Sequence, residues 1–159
     1  MVLVLDTSAV IAGVAPGLVD AEQVTVREVL DEARDLCSKL KLETAVLVGK
    51  VKVADPSKAS LAEVRAKVKH TGDVVSQTDI KLLALALDLK DKKAELVTDD
   101  YAIQNLASMF GISYRRVAMP GIKEVLRWEM VCPACGRRYS PSAIKCLACG
   151  SELERRSRR

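Results

Sequence analysis

Histidine, aromatic residues and long apolar runs are scarce in this sequence. His70 is the only histidine among the 159 residues, and Phe, Trp and Tyr together make up 3% of them. A single histidine excludes catalysis by two histidines acting as acid and base. No apolar stretch reaches the roughly 20 residues that a membrane-spanning helix needs, and no signal peptide precedes the first apolar segment. We therefore expect a soluble, cytoplasmic protein with no membrane partner.

Several common catalytic motifs are also absent. The sequence contains neither the Gly-x-Gly-x-x-Gly of dinucleotide-binding proteins nor the Gly-x-Ser-x-Gly of serine hydrolases. Gly49-Lys50 lacks the upstream glycine and the following Ser or Thr of a phosphate-binding loop. An aspartyl-phosphate enzyme would usually have a second acid two residues after Asp6, and Ser8 occupies that position. The chemistry must come from other residues.

Four of the five cysteines form two Cys-x-x-Cys pairs near the C-terminus, namely Cys132, Cys135, Cys146 and Cys149. Two such pairs joined by a hairpin make a tetrahedral four-thiolate site that suits Zn²⁺. Disulfides would require a secreted protein, and a thioredoxin-like site would need one pair opening a helix. The spacing therefore predicts one structural zinc ion, with no open position for catalysis. Cys37 lies in an apolar helical stretch and is expected to be buried.

Positive charge is concentrated in the C-terminal third. Residues 1–111 contain 14 Lys or Arg and 17 Asp or Glu, whereas residues 112–159 contain 11 and 4. Because arginine is well suited to phosphate recognition, a nucleic acid is the favoured partner, and ordinary solubilising charge is the alternative. The basic residues nearest the cysteines are Arg137, Arg138 and Lys145, which would also offset the negative charge of a zinc–thiolate centre.

Apolar segments alternate between strand-like and helix-like patterns. Strands are predicted at residues 2–5, 46–53, 95–98 and 112–117, and helices at 25–40, 57–70, 80–87, 101–110 and in a short segment ending at 126. This alternation predicts an α/β fold with a parallel sheet covered by helices on both faces. The predicted domains are residues 1–127 for this fold, 128–153 for a zinc ribbon and 154–159 for a basic, disordered tail.

Acidic residues follow two of the predicted strands and begin two of the helices. Asp6 follows the first strand, Asp99 and Asp100 follow the strand at 95–98, and Glu28 and Asp79 lie in first helical turns. Open α/β sheets bind ligands beyond the carboxyl ends of their strands, so these carboxylates are expected to converge there. Carboxylates in this number bind Mg²⁺ or Mn²⁺, which activates water and neutralises charge on a phosphodiester.

Helix capping is the alternative explanation for most of these acids. The capping candidates are Thr25 with Glu28, Ser76 with Asp79, and Asp99 or Asp100 before the next helix. Asp6 is harder to explain without a site, because a charge next to a buried strand is unfavourable unless it is paired or bound to a metal. The coincidence of all four positions favours a site.

These residues resemble the pattern of the PIN-domain nucleases. That pattern is a strand ending in Asp with a hydroxylated residue soon after, a helix-borne Glu, an Asp before an apolar helix, and a strand ending Thr-x-Asp. The matching segments are Asp6-Thr7-Ser8, Glu28, Asp79 and Thr98-Asp99-Asp100, and the last spacing favours Asp100 over Asp99. Residues 25–32, 70–73, 78–80 and 98–105, together with the four-cysteine ribbon, resemble the Nob subfamily in its compact, archaeal form.

The resemblance implies a PIN nuclease domain at residues 1–127 and a metal-dependent endoribonuclease that matures the 3′ end of small-subunit rRNA during ribosome biogenesis. Asp6, Asp79 and Asp100 would bind Mn²⁺ or Mg²⁺, and Glu28 would be a further ligand or would position the attacking water. Hydrolysis would leave a 5′-phosphate and a 3′-hydroxyl. The expected partners are the precursor of small-subunit rRNA, the pre-ribosomal particle and other assembly factors.

The ribbon is expected to hold RNA mainly through phosphates, with strong salt sensitivity, by way of Arg137, Arg138 and Lys145. Tyr139 either stacks on a base or packs inside the ribbon. Three rival functions are a non-catalytic RNA-binding assembly factor, a toxin-type PIN nuclease acting on transfer or messenger RNA, and a zinc-ribbon transcription factor. Toxin-type PIN proteins usually have no ribbon, and a transcription factor leaves residues 1–120 without a purpose.

Overall fold

The computed structural model describes residues 1–12, 14, 16, 19–118 and 125–158. The strands are β1 Val2–Leu5, β2 Glu22–Thr25, β3 Val51–Val53, β4 Ala94–Val97, β5 Ser113–Arg115, β6 Arg127–Val131, β7 Arg138–Tyr139 and β8 Glu154–Arg158. The helices are α1 Thr7–Ile11, α2 Arg27–Glu32, α3 Leu36–Leu47, α4 Lys58–Thr71, α5 Gln77–Asp88 and α6 Tyr101–Phe110, with a 3-10 turn at Lys90–Lys92. Over the ranges described, no helix has the length and apolar character needed to cross a membrane. The short helix predicted to end at 126 falls largely on residues 119–124, outside the described residues.

β1 lies at the centre of a five-stranded parallel sheet with the order β3-β2-β1-β4-β5. The chain builds outward from β1 to β3 on one side and then crosses over to β4 and β5 on the other. The boundary between β1 and β4 is therefore the point where the strand order reverses, which is where open α/β sheets bind ligands. Leu5 is in register with Val97, so Asp6 and Thr98 leave the sheet side by side.

Alternate residues of β1 face two separate apolar layers. Val2 and Val4 belong to the larger core cluster, which includes the buried face of α5. Leu3 and Leu5 belong to a second cluster, which includes Ala45 of α3. Because successive side chains of a strand point to opposite faces, both faces of the sheet are covered. The predicted α/β fold, a parallel sheet with helices on both faces, is confirmed.

The single helix predicted at residues 25–40 is wrong, because this segment holds the end of β2 and parts of two helices. Thr25 is buried at the end of β2, where its hydroxyl donates to the Leu5 carbonyl at 2.8 Å. Asp35 starts α3 by accepting hydrogen bonds from two amides of the first turn, at 3.2 and 2.7 Å. Cys37 lies in that turn and is exposed, so the prediction that it is buried is also wrong.

The strand predicted at residues 46–53 is correct only at its end. α3 continues to Leu47, and β3 begins at Val51. Gly49 separates them with a φ of 73°, a left-handed conformation that glycine adopts without a side-chain clash. A short run of apolar β-branched residues fits either a helix end or a buried strand, so the sequence pattern did not separate the two.

The C-terminal module is a three-stranded antiparallel sheet with the order β7-β6-β8. Its last strand corrects the predicted disordered tail, since residues 154–158 pair with β6 along its whole length, from Val131 opposite Glu154 to Arg127 opposite Arg158. The guanidinium of Arg155 lies 3.8 Å from the centroid of the Trp128 ring, which adds a cation–π contact. Charge alone therefore did not indicate disorder here.

A buried polar cluster joins this sheet to the α/β domain. Trp128 Nε1 donates to Asp73 Oδ1 at 2.9 Å, and Asn105 Nδ2 donates to the same oxygen at 3.2 Å. Asn105 also binds both backbone groups of Leu126, at 2.9 and 2.7 Å. Asp73 and Asn105 are buried, so these bonds satisfy groups that water cannot reach. The ribbon is docked against the domain through them.

Candidate active site and metal centre

Asp6 lies at the carboxyl end of β1 and is held by three donors. Its Oδ1 accepts from the Thr7 amide at 2.6 Å, and its Oδ2 accepts from the hydroxyls of Ser8 at 2.5 Å and Thr98 at 2.8 Å. Ser8 Oγ and Thr98 Oγ1 in turn accept from backbone amides at the start of the segment after β4. The two strand ends are therefore linked through this one carboxylate.

The environment of Asp6 disfavours its negative charge. Burial raises the pKa of Asp6, the hydrogen bonds from Ser8 and Thr98 act in the opposite direction, and the negative charge of Asp79 raises the pKa further. Asp6 and Asp79 are thus close enough to interact electrostatically. A divalent cation between them would relieve both unfavourable effects.

Asp79 and Asp100 cap helices with one oxygen each. Asp79 Oδ2 accepts from the Ser76 amide at 2.7 Å, and Ser76 Oγ accepts from the Asp79 amide at 3.1 Å, which completes a capping box at α5. Asp100 Oδ1 accepts from two first-turn amides of α6, at 2.7 and 3.2 Å. Capping engages Oδ2 of Asp79 and Oδ1 of Asp100, so it is compatible with metal binding by the other oxygen of each.

Asp99 has a different role from its neighbour. Its two oxygens accept from the amides of Val117 and Ala118, at 2.9 and 3.0 Å. Both oxygens are thus engaged in holding the segment after β5. This arrangement is consistent with the choice of Asp100 over Asp99 as the fourth acid.

Glu28 lies in the first turn of α2, and it does not form the capping box considered for it. The helix begins after Val26 without a side-chain cap, and the Thr25 hydroxyl binds Leu5 instead. Glu28 Oε1 forms an ion pair with Lys81 of α5, and the hydrogen bond from Lys81 lowers the pKa of Glu28. Glu28 Oε2 is buried and has no hydrogen-bond partner within the described residues. A buried acceptor without a partner is unfavourable unless water or an ion binds it.

The acidic side chains do not form a closed ligand set among the described residues. Within the described ranges, the only group of three or more potential ligands whose atoms lie within 4.8 Å of one another is the four cysteines. Asp6, Asp79 and Asp100 are therefore too far apart to bind one bare ion together without side-chain rotation. Mg²⁺ usually keeps several waters and binds through one or two carboxylates, so a hydrated ion fits this spacing.

The four cysteine thiols do form a closed set that can hold one metal ion. Cys132 Sγ lies 3.5 Å from Cys149 Sγ, and Cys135 Sγ lies 3.5 Å from Cys146 Sγ. Cys132 and Cys146 are buried, and the other two are exposed. Four sulfur atoms at these distances are the donor set that tetrahedral zinc requires.

Tyr139 contacts this metal centre directly. Its hydroxyl lies 3.1 Å from Cys146 Sγ, and that hydrogen bond is the main reason that the pKa of Cys146 is lowered to about 5. The same bond raises the pKa of Tyr139. A thiolate at neutral pH is the form that binds zinc, so Tyr139 prepares its neighbour for the metal. The Tyr139 hydroxyl is thus engaged inside the ribbon, whereas the residue as a whole is only half-buried.

The basic residues predicted to contact RNA all lie on the ribbon. Arg138 Nη1 donates to Glu129 Oε1 of β6 at 2.9 Å, and Arg137 is exposed. The backbone of Lys145 forms an isolated antiparallel β-bridge with Glu152. The Arg137 carbonyl accepts from the Cys132 amide at 2.9 Å. Arg137 and Arg138 therefore follow directly on the first cysteine turn, which fixes the position of their backbone.

Comparison with known proteins agrees with this arrangement. The model of the family described as the PIN domain of ribonuclease matches residues 3–89. The chain belongs to this family of PIN-domain ribonucleases. It is 40% identical over 156 residues to the endoribonuclease Nob1 of Pyrococcus abyssi, an alignment that covers 96% of this chain and 91% of that protein.

Two further relatives extend the comparison. Identity is 37% over 161 residues to the endoribonuclease Nob1 of Methanothermobacter thermautotrophicus, covering 98% of this chain and 93% of that protein. Identity is 34% over 158 residues to the ribonuclease VapC1 of Thermoplasma acidophilum, covering 98% of this chain and 78% of that protein. The resemblance to archaeal Nob-type enzymes and the predicted class, an endoribonuclease, are confirmed.

Lys81 was missed by the sequence reasoning. It is the only charged residue in the apolar run from Ile80 to Leu87, and a charge in an otherwise buried helix normally has a partner. The sequence therefore indicated that Lys81 needs a partner. It did not indicate which residue this is, because Glu28 is 53 residues away in the chain. The sequence also assigned no role to Ser8 beyond its place in the Asp6-Thr7-Ser8 pattern, and the structure shows it as a donor to Asp6.

Proposed function

We propose that this protein is a divalent-metal-dependent endoribonuclease that processes precursor rRNA at the 3′ end of the small-subunit rRNA in the cytoplasm, during ribosome biogenesis. The observation that carries the proposal is at the carboxyl end of the sheet, where buried Asp6 is held by Ser8 and Thr98 and where Glu28 Oε2 has no partner among the described residues. The similarity to two Nob1 endoribonucleases, over more than nine-tenths of this chain, supports the choice of substrate.

The residues at this edge have distinct roles in the proposed reaction. Asp6, Asp79 and Asp100 would hold Mn²⁺ or Mg²⁺ through oxygen, partly by way of waters. The bound ion would acidify water and offset negative charge on the phosphodiester. Glu28 keeps one oxygen on Lys81, and its Oε2, which is buried in this conformation, would accept a proton of the attacking water after the side chain rotates. Ser8 and Thr98 hold Asp6 in place. Attack by water would leave a 5′-phosphate and a 3′-hydroxyl.

Zinc is the metal that the four thiols fit best, and its role is to fold the ribbon. Arg137, Arg138 and Lys145 would then contact RNA phosphates in the pre-ribosomal particle. Other assembly factors are further partners in this proposal. The scarcity of aromatic residues makes these contacts mainly electrostatic, so we expect RNA affinity to fall steeply as salt is added.

The direct test is cleavage of an RNA fragment that spans the 3′ end of small-subunit rRNA, with Mn²⁺ titrated against chelator. Asp6→Asn and Asp79→Asn should abolish cleavage while RNA affinity stays within about twofold of the wild-type value, since neither residue is expected to bind RNA directly. Asp91→Asn is the matched control, because it removes the same charge from an exposed turn. Cleavage that persists in the Asp6 and Asp79 variants would reject the site.

Two rivals can be tested in the same experiment. A non-catalytic assembly factor would bind the fragment and leave it uncut at every Mn²⁺ concentration. The similarity to a VapC1 ribonuclease favours a toxin-type activity as a second candidate. That activity predicts faster cleavage of transfer or messenger RNA than of the rRNA fragment under identical conditions.

A further inference from the structure

A groove of about 690 Å³ lies between the end of α4 and the ribbon sheet. Its walls come from both parts of the molecule. Lys67 and His70 contribute from α4, Arg127 and Trp128 from β6, and Tyr139 and Arg158 from the other two ribbon strands. The groove therefore exists only when the ribbon is docked against the α/β domain.

The docking that creates the groove is built from buried, specific contacts. The hydrogen bonds between Trp128, Asp73 and Asn105 fix the position of β6. Gly72 contacts the ribbon so closely that an added Cβ would lie 2.4 Å from Pro141 Cβ. Protein interiors packed this closely do not deform continuously, so the groove is preformed.

The charges along the groove are arranged unfavourably for the protein alone. Arg127 and Arg158 stand directly opposite each other on β6 and β8, and like charges in that position destabilise a sheet. Lys67 adds a third cation from α4. The acid on this lining is Glu129, which Arg138 already engages at 2.9 Å. Such an arrangement is stabilised when a polyanion binds.

The basic surface continues beyond the groove. A neighbouring depression of about 510 Å³ shares Arg158 with it and is also lined by Arg138 and Arg156. Arg156 and Arg158 are two residues apart in β8, so they project from the same face of the sheet. Together the two depressions place arginines along the ribbon, where Arg138 is paired with Glu129 and Arg156 with Glu154.

We propose that this groove binds the backbone of a single-stranded RNA segment, with its phosphates between Lys67 on one wall and Arg127 and Arg158 on the other. The choice of RNA as the polyanion rests on the proposed function. The ring of Tyr139, which lines the groove, favours a single strand over a duplex, because only unpaired bases can leave the stack and reach an aromatic surface. The Tyr139 hydroxyl is bound to Cys146, so its ring is held in position by the metal centre.

The test is fluorescence anisotropy of the full-length, zinc-loaded protein with a labelled single-stranded oligoribonucleotide and with a duplex of the same sequence. No Mn²⁺ or Mg²⁺ is added, so binding is measured without cleavage. Lys67→Ala and Arg158→Ala should each weaken single-strand binding by roughly 3- to 10-fold and reduce the slope of log affinity against log salt by about 0.7. Lys50→Ala is the control, because it removes the same charge from an exposed residue directly before β3 that does not line the groove. This substitution should have no effect on RNA affinity.

Zinc content and the emission spectrum of Trp128 verify that each variant keeps the docked ribbon. Wild-type affinity and salt slope in both groove variants would overturn the proposal, as would an equal loss of affinity for the duplex. The outcome is separate from that of the proposed function. Mn²⁺-dependent cleavage can succeed while the groove variants bind normally, and the groove variants can lose affinity in a protein that does not cut.

Discussion

At the scale of single residues, Asp6 combines burial with the metal-binding role proposed for it. A carboxylate whose pKa is raised by burial binds protons more tightly in the folded than in the unfolded state. The free energy of unfolding therefore falls as pH rises from the ordinary pKa of the group to its raised value in the folded protein. Above that window the folded state carries the full penalty of the buried charge.

Asp6→Asn should stabilise the protein at neutral pH in the absence of divalent ions. The expected gain is roughly 0.5–2 kcal/mol, the usual range when a functional site is relaxed. Urea denaturation at pH 4 and pH 7 measures it, and the gain should be larger at pH 7. Asp91→Asn is the exposed control. A variant that is less stable than wild type at both pH values would contradict this account of Asp6.

Lys81 controls the charge state of Glu28 across the interface between α2 and α5. Lys81→Met should raise the pKa of Glu28, because it removes the hydrogen bond and positive charge that lower it. If ionised Glu28 accepts the proton from water, the acidic side of the kcat/KM profile should move to higher pH. The loss at neutral pH should be smaller than the 100-fold or more expected when a general base is removed altogether.

Lys81→Arg is the control for this prediction, because it retains the charge. Its acidic limb should lie close to that of the wild-type enzyme. A profile for Lys81→Met that coincides with the wild-type profile would show that Glu28 does not need its partner.

At the scale of elements, Gly72 at the end of α4 both terminates the helix and contacts the ribbon. Gly72 ends the helix with a φ of 72°, and Gly49 has a φ of 73° at the end of α3. Nothing lies within 4 Å of an added Cβ at Gly49, whereas Pro141 blocks one at Gly72. Substitution of Gly49 by alanine therefore tests backbone strain alone, whereas the same substitution at Gly72 adds a steric clash with Pro141.

Gly49→Ala should destabilise the protein by about 1–2 kcal/mol, from the left-handed backbone alone. Gly72→Ala should add a further 1–3 kcal/mol or so for overpacking against the ribbon. Urea denaturation measures both values, and Trp128 emission should change only in Gly72→Ala. Equal destabilisation by the two substitutions would mean that the Gly72–Pro141 contact is not tight.

The elements that sequence patterns predicted well are those with strong local signals. The Ser76–Asp79 capping box and the apolar run after it define α5, and Asp100, one of the two acids considered as a cap, caps α6. β2 and β8 were missed because polar or basic residues fill them. These strands are stabilised by pairing with neighbouring strands, and the sequence of a single segment does not indicate which strands it will pair with.

At the scale of the whole molecule, the ribbon has few apolar residues to bury and depends on its metal. Only Cys132 and Cys146 of this module belong to the buried apolar residues of the described structure. The free energy of metal binding then stabilises the folded ribbon directly. In comparable small modules this free energy is on the order of 10 kcal/mol. The α/β domain has its own extensive core and should not need the metal.

Removing zinc with a chelator should unfold the ribbon and leave the α/β domain folded. Trp128 would lose its bond to Asp73, so its emission should shift to longer wavelength, while the helical far-ultraviolet signal persists. Added Zn²⁺ should reverse the change. Cys146→Ser should mimic zinc loss, and Cys37→Ser should not, since Cys37 is exposed on α3. Unchanged Trp128 emission after complete zinc removal would contradict the prediction.

The sequence by itself determined the four clustered cysteines, the α/β class and the acids at the strand ends, because each depends on residue types at short, regular spacings. The tertiary structure alone decided which groups meet across long separations. Lys81 reaches Glu28 over 53 residues, and Trp128 reaches Asp73 over 55. Short-range spacing is constrained by the backbone, whereas long-range contacts depend on how whole elements pack, so only the folded chain reveals the ion pair and the docked ribbon.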